Sequence, residues 1–108
     1  MSNSLLTLIA NSFIGRFLVR VKSGVAKGAR WSLYLWTSYW RGTHEAEEQE
    51  QMPRLFENWK GLHVWDLGSH YGIYAVGLGL RIAPTGSVAA FEPNPLSFSR
   101  LKLHGARN

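Results

Sequence analysis

Apolar residues near the start of the chain, Leu6, Ile9, Ala10, Phe13, Ile14 and Phe17, recur at the spacing that places side chains on one face of a helix. Beyond them the period shortens to two. Residues 17–22 and 29–36 alternate apolar and polar positions, with turn residues Ser23-Gly24 and Lys27-Gly28 between them, so a β-hairpin is predicted. An alternative lets the helix run on to Val21, leaving only the second strand. Residues 43–58 are acid-rich and good helix formers. Thr43 is the expected N-cap, glutamates occupy the first turns where the helix dipole favours them, and Pro53 breaks the run.

After the Lys60-Gly61 turn the pattern becomes strand, glycine loop, helix, turn, strand, acid. Residues 62–66 read as a short strand, 71–82 as a helix with Ile73, Val76, Leu80 and Ala83 on its apolar face, and 87–91 as a second strand. The second strand is nearly all apolar or small, as in a parallel strand covered on both faces. Pro84-Thr85-Gly86 ends the helix between the strands. Asn94-Pro95 supplies an N-cap and a first-position proline for a last helix through Leu96, Leu101 and Leu103.

The chain has 108 residues, enough for one small domain and fewer than the roughly 200 of a full doubly wound α/β enzyme, so the domain is expected to be incomplete. Hydrophobic residues make up 45% and aromatic residues 13%, which excludes a disordered chain. The clustered Trp31, Trp36, Tyr39 and Trp40 read as core packing ahead of a stacking platform for bases or sugars. Absence of cysteine excludes disulfides, a thiol nucleophile and cysteine-ligated metal, and fits a reducing cytoplasm.

The net charge of +5 invites a polyanion partner, but the charges do not form one footprint. Arg16, Arg20, Lys22, Lys27 and Arg30 come early and Arg100, Lys102 and Arg107 late, with Glu45, Glu47, Glu48 and Glu50 between. Nucleic acid is therefore not an expected partner. Residues 5–21 fail as a membrane span, because Asn11, Ser12, Arg16 and Arg20 interrupt the roughly 20 apolar residues required. Their charges follow the apolar run, the reverse of a secretory signal. Docking of this helix on the domain is the expected outcome, and peripheral contact with a membrane through residues 5–21 is the alternative.

A parallel strand–helix–strand unit brings both strand ends to one edge of the sheet, where open α/β sheets bind ligands. Asp66-Leu67-Gly68-Ser69-His70-Tyr71-Gly72 lies at the first strand end and Glu92 at the second. Gly68 permits a tight turn and close approach of a ligand, and an ionised Glu92 can accept from both hydroxyls of a ribose. A dinucleotide site asks for G-x-G-x-x-G, and its second glycine is His70 here, so a nicotinamide-dependent oxidoreductase is disfavoured. S-adenosylmethionine has no phosphates and tolerates a side chain there.

The 64–74 stretch, the Gly86-to-Pro95 run with its Phe91-Glu92-Pro93-Asn94-Pro95 core, and downstream Leu101 and Asn108 resemble the FkbM family of class I methyltransferases. Gly24, Gly28 and Gly42-Thr43-His44-Glu45 are similar to the lead-in of some members. Ser69-His70 stands where the family often has Ala-Asn, and His104 where an asparagine is common. The resemblance implies an α/β fold in which residues 59–108 begin a Rossmann-like S-adenosylmethionine-binding domain, the first βαβα unit. Residues 1–58 supply the N-terminal helix, hairpin and acidic helical lead-in.

It also implies methyl transfer to the hydroxyl of a sugar or other small-molecule acceptor. Asp66 would serve the loop and the methionine end, directly or through water. Gly68, Ser69, His70 and Gly72 would form the turn beneath it, Glu92 would hold the ribose, Pro93 and Asn94 would border the adenine, and Glu45 would reach toward donor or acceptor. Alignment of donor and acceptor dominates such a displacement, which also calls for a general base. None of His44, His63, His70 and His104 is identified as that base; each reads as a neutral structural histidine, and no spacing predicts a metal site. The competing reading is a non-catalytic fragment or interaction module with an open sheet edge.

Overall fold

The computed structural model describes residues 5–34, 37–54 and 58–108. Among them are four α-helices and two two-stranded sheets, a small mixed α/β architecture. Helix α1 spans Leu5–Ile14, and an antiparallel hairpin follows from β1, Leu18–Arg20, and β2, Arg30–Ser32. Val19 lies opposite Trp31, and the ladder continues past the strands through the Val21 N–H on the Ala29 carbonyl, 3.0 Å. The helix therefore stops before the hairpin and does not run on to Val21. The predicted strand end at Leu35 and Trp36 lies outside the described residues.

A 3-10 turn at Tyr39–Arg41 leads to α2, Ala46–Gln51, and a second 3-10 turn, Met52–Arg54. Thr43 is not the cap of α2. Glu45 holds that place in the left-handed conformation, φ +47°, and its side chain turns elsewhere. The predicted long lead-in helix is six residues, with Pro53 in the tighter turn that follows; positions 55–57 lie outside the described residues.

Strand β3, His63–Leu67, pairs in parallel with β4, Ser87–Phe91, in the register Asp66 opposite Ala90. Helix α3, Ile73–Ile82, makes the crossover, and α4, Pro95–Arg107, follows β4. The last helix starts as predicted: Asn94 accepts from the Ser97 N–H at 3.0 Å and Pro95 occupies the first turn.

Burial departs from the sequence pattern on α3, on the parallel strands and on α4. Leu80 and Ala83 are exposed, while Leu78 and Ile82 complete the buried face of α3. Strand β4 has no buried residue, because helices cover only part of its surroundings; Trp65 and Leu67 of β3 are 75% and 72% exposed. Helix α4 buries Ser97, Arg100, Leu101 and His104, leaving Leu96 and Leu103 outside.

The main core joins the two halves of the chain. Val21, Val25, Ala26, Trp31 and Tyr39 cluster with Tyr71, Ile73, Val76 and Leu78. Trp31 is fully buried and stacks on His104 at 3.6 Å between ring centroids. The predicted docking of α1 does not bury its apolar face: Asn11 is its buried residue, and Leu5, Leu6, Ile9 and Phe13 are exposed. No helix among the described residues is long and apolar enough to cross a membrane.

Candidate functional site

The loop between β3 and α3 holds Gly68, His70 and Gly72 all in the left-handed region, at φ +76°, +52° and +96°. Its path is fixed from β4: the Phe91 carbonyl accepts the N–H groups of both Gly68 and Ser69 at 2.9 Å. The buried Ser69 hydroxyl donates to the Asp66 carbonyl at 2.8 Å and accepts the Phe91 N–H at 3.2 Å. Ser69 thereby staples the two strand ends together.

The two glycines differ in what they admit. A Cβ on Gly72 would stand 2.7 Å from Leu101 Cδ1, so Gly72 lets α4 close against the loop. A Cβ on Gly68 would meet nothing within 4 Å, which leaves that backbone open to a ligand.

Glu92 sits one residue beyond β4 and reaches back over the loop. Oε1 accepts the His70 N–H and Oε2 the Asn94 N–H, each at 2.9 Å. These two bonds, Asn94 first, hold the carboxyl below the usual glutamate range, so Glu92 is an oriented anion with lone pairs to spare. Asp66 is the contrasting acid. Burial raises its carboxyl above the usual aspartate range against the pull of Ser69 and the Ala75 N–H, and its buried Oδ2 has no hydrogen-bond partner among the described residues.

An aromatic wall from the first half of the chain closes one side. The Tyr39 hydroxyl and His70 Nδ1 are 2.5 Å apart, and the His70 ring stacks on Tyr71 at 4.2 Å. Burial, with Tyr71, Glu45 and Glu92 adding to it, pushes the Tyr39 hydroxyl up to about 12, so it stays protonated. Burial lowers His70 below the ordinary imidazole range, Glu92 opposes, and His44 and Arg100 reinforce the lowering; the ring is neutral at pH 7. Glu45 accepts from the Tyr74 hydroxyl at 2.8 Å and lies 3.2 Å from His44 Nε2, while the His44 ring packs 4.5 Å from Tyr39. Tyr74 is also raised, by burial first and then by that bond to Glu45.

Asp66, Gly68, Ser69, His70, Gly72, Glu92 and Asn94 therefore converge at one sheet edge. Pro93 is exposed beside them, and Glu45 joins through Tyr74 and His44 without touching the glycine loop. Tyr39 and Tyr74 are the residues that sequence reasoning missed. Tyr39 packs in the core as its aromatic cluster predicts, but nothing local marks its hydroxyl as one that meets a partner 31 positions away.

His104 belongs to a different construction. Its Nδ1 bonds the Tyr71 carbonyl at 2.8 Å and its Nε2 accepts the Ser32 N–H at 3.2 Å, which fits only the neutral ring protonated at Nδ1. Burial, reinforced by Arg107 and Arg100 against the pull of the Tyr71 carbonyl, lowers it to about 4. Arg100 stacks its guanidinium over Tyr34 and Tyr71, 4.1 and 4.7 Å from the ring centroids, and bonds the Tyr71 hydroxyl. An apolar groove of about 460 Å³ lies between α3 and α4, lined by Val76, Leu80, Val88, Phe98 and Leu101, and takes in none of the converging acids. Among the described residues no cluster of three His, Asp or Glu is placed to hold a metal ion.

No known family model, curated protein or solved structure matches this chain.

Proposed function

We propose that this chain is the cofactor-holding part of an S-adenosylmethionine-dependent methyltransferase of the FkbM kind, on a Rossmann-like frame that begins at β3. The observation that carries the reading is the pairing of two unlike acids at adjacent parallel strand ends. Glu92 is ionised, oriented and exposed to a ligand; Asp66 is desolvated, with one acceptor oxygen unfilled. The residues fit the cofactor on that ground. Glu92 would accept from the ribose hydroxyls, and Asp66 Oδ2 would accept from the amine of the methionine end, directly or through one water. The open backbone at Gly68 would receive the body of the ligand, and Asn94 and Pro93 would border the adenine.

When bound, S-adenosylmethionine supplies an electrophilic methyl group on a sulfonium. The chain's own part is alignment. Ser69 fixes the strand ends, the His70 N–H fixes Glu92, and Tyr39 and Tyr71 fix the His70 ring, so the half-site is set before a ligand arrives. The acceptor belongs to the same proposal, a hydroxyl of a sugar or another small molecule in the cytoplasm. His70 in place of a second loop glycine, its side chain tied to Tyr39, opposes a pyrophosphate-bearing dinucleotide.

Isothermal titration of the chain with S-adenosylmethionine, S-adenosylhomocysteine and NAD tests this. Binding of the first two is expected, weakened about tenfold in Glu92→Gln by loss of charge-assisted bonds. Binding of NAD alone, or of none of the three, overturns it. The exposed sheet face of Trp65 and Leu67 favours a second reading, a non-catalytic interaction module, which the absence of any nucleoside binding would support.

A further inference from the structure

Helix α1 is turned inside out for a helix on a protein surface. Its polar Asn11 is 6% exposed, whereas Leu6 is 78%, Phe13 61% and the following Phe17 67% exposed. Leu5, Leu6, Ile9 and Phe13 fall on one face of the helix, turned away from buried Asn11, and exposed Phe17 follows in the turn after it; together they make an apolar stripe.

Charge says what covers the stripe. No Asp or Glu precedes Glu45, while Arg16, Arg20, Lys22, Lys27, Arg30 and Arg41 all lie before it. Arg16 holds its guanidinium 5.5 Å over the Phe13 ring in a cation–π contact, which places a cation at the edge of the stripe. Behind α1 a cleft of about 610 Å³ is lined by Arg16, Arg100 and Arg107 and, among the described residues, by no acidic side chain. None of the three arginines forms an ion pair among the described residues. A protein partner would have to match an apolar stripe and a field of one sign; a bilayer of anionic phospholipid offers both at once.

We propose that α1 docks this chain on an anionic membrane surface, lying flat with Leu5, Leu6, Ile9, Phe13 and Phe17 in the acyl boundary and Arg16 and the neighbouring cations among the headgroups. The inference stands apart from the methyltransferase reading, since no residue of the glycine loop or of Glu92 takes part.

The test is co-sedimentation of the full chain with vesicles of phosphatidylcholine alone and of phosphatidylcholine containing about one third phosphatidylglycerol. Binding to the anionic vesicles only is expected, falling about tenfold or more in Leu6→Glu and in Phe13→Glu. It also falls about tenfold when salt rises from roughly 0.1 to 1 M. These side chains are exposed, so circular dichroism and urea midpoints should match the parent chain. Arg16→Glu should weaken anionic binding with the stripe intact. Equal binding to both vesicles, binding to neither, or self-association in light scattering that Phe13→Glu abolishes would each overturn the proposal.

Discussion

His70 and His104 both rest on Tyr71, yet they stand in regions built on opposite rules. Around His104 every ring atom capable of a hydrogen bond has a backbone partner, and Trp31 stacks on its face. Around His70 the backbone is held in a left-handed turn, Asp66 keeps an unfilled oxygen, and the space over Gly68 is open. The first region joins α4 to the hairpin and to the α3 loop. The second is held by hydrogen bonds yet incomplete, as expected of the proposed binding site, where polar groups are oriented before their partners arrive.

Substitutions around His104 should therefore cost stability, and substitutions around Asp66 should cost binding. The largest expected effect is His104→Ala, which strands the Ser32 N–H and the Tyr71 carbonyl and removes the stack on Trp31. Urea unfolding should show a loss of about 3–4 kcal/mol.

Acid should reproduce most of that loss in the parent chain. The folded-state value of His104, about 4, lies below its ordinary 6.5, so between those values the unfolded chain binds a proton that the folded chain excludes. The stabilisation is fully present above pH 6.5 and falls by about 3 kcal/mol as pH drops to 4. His70 is lowered as well and acts in the same direction, with a smaller share because it is partly exposed. Urea midpoints at several pH values should be steep over this window in the parent and markedly flatter in His104→Gln.

Gly72 sharpens the comparison because it sits in the loop by position and in the packed region by contact. Gly72→Ala forces a side chain onto Leu101 at φ +96° and should cost about 2 kcal/mol in the same assay. Asp66→Asn is the smallest expected change in stability, within about 0.5 kcal/mol, because it removes a desolvated charge and keeps a hydrogen-bonding side chain. Calorimetry should nevertheless show weaker binding of S-adenosylmethionine. A loss of stability as large as that of His104→Ala would erase the distinction between the two regions.

Much of the element order was legible in the sequence because local chemistry specified it. Asn94-Pro95 started α4, Pro53 shortened the acidic helix, and the 87–91 strand has the bounds its composition predicted. Faces were less legible. On α4, Leu96 and Leu103 follow a helical pattern and lie outside, while Arg100 and His104 are buried. A polar side chain goes inward when distant partners satisfy it, and those partners are 29 to 72 positions away.

The candidate site divides along the same line. The chain by itself determined that two acids and two glycines would meet at one sheet edge, since a parallel crossover allows no other placement of strand ends. Only the tertiary structure decided that Ser69 would act as a staple, that Gly72 would serve Leu101, that Tyr39 would hold His70, and that α1 would show its apolar face to solvent. Hydrogen bonds to near neighbours and backbone propensity are written residue by residue; desolvation and packing depend on which remote surfaces come together, and the three-dimensional fold alone selects them.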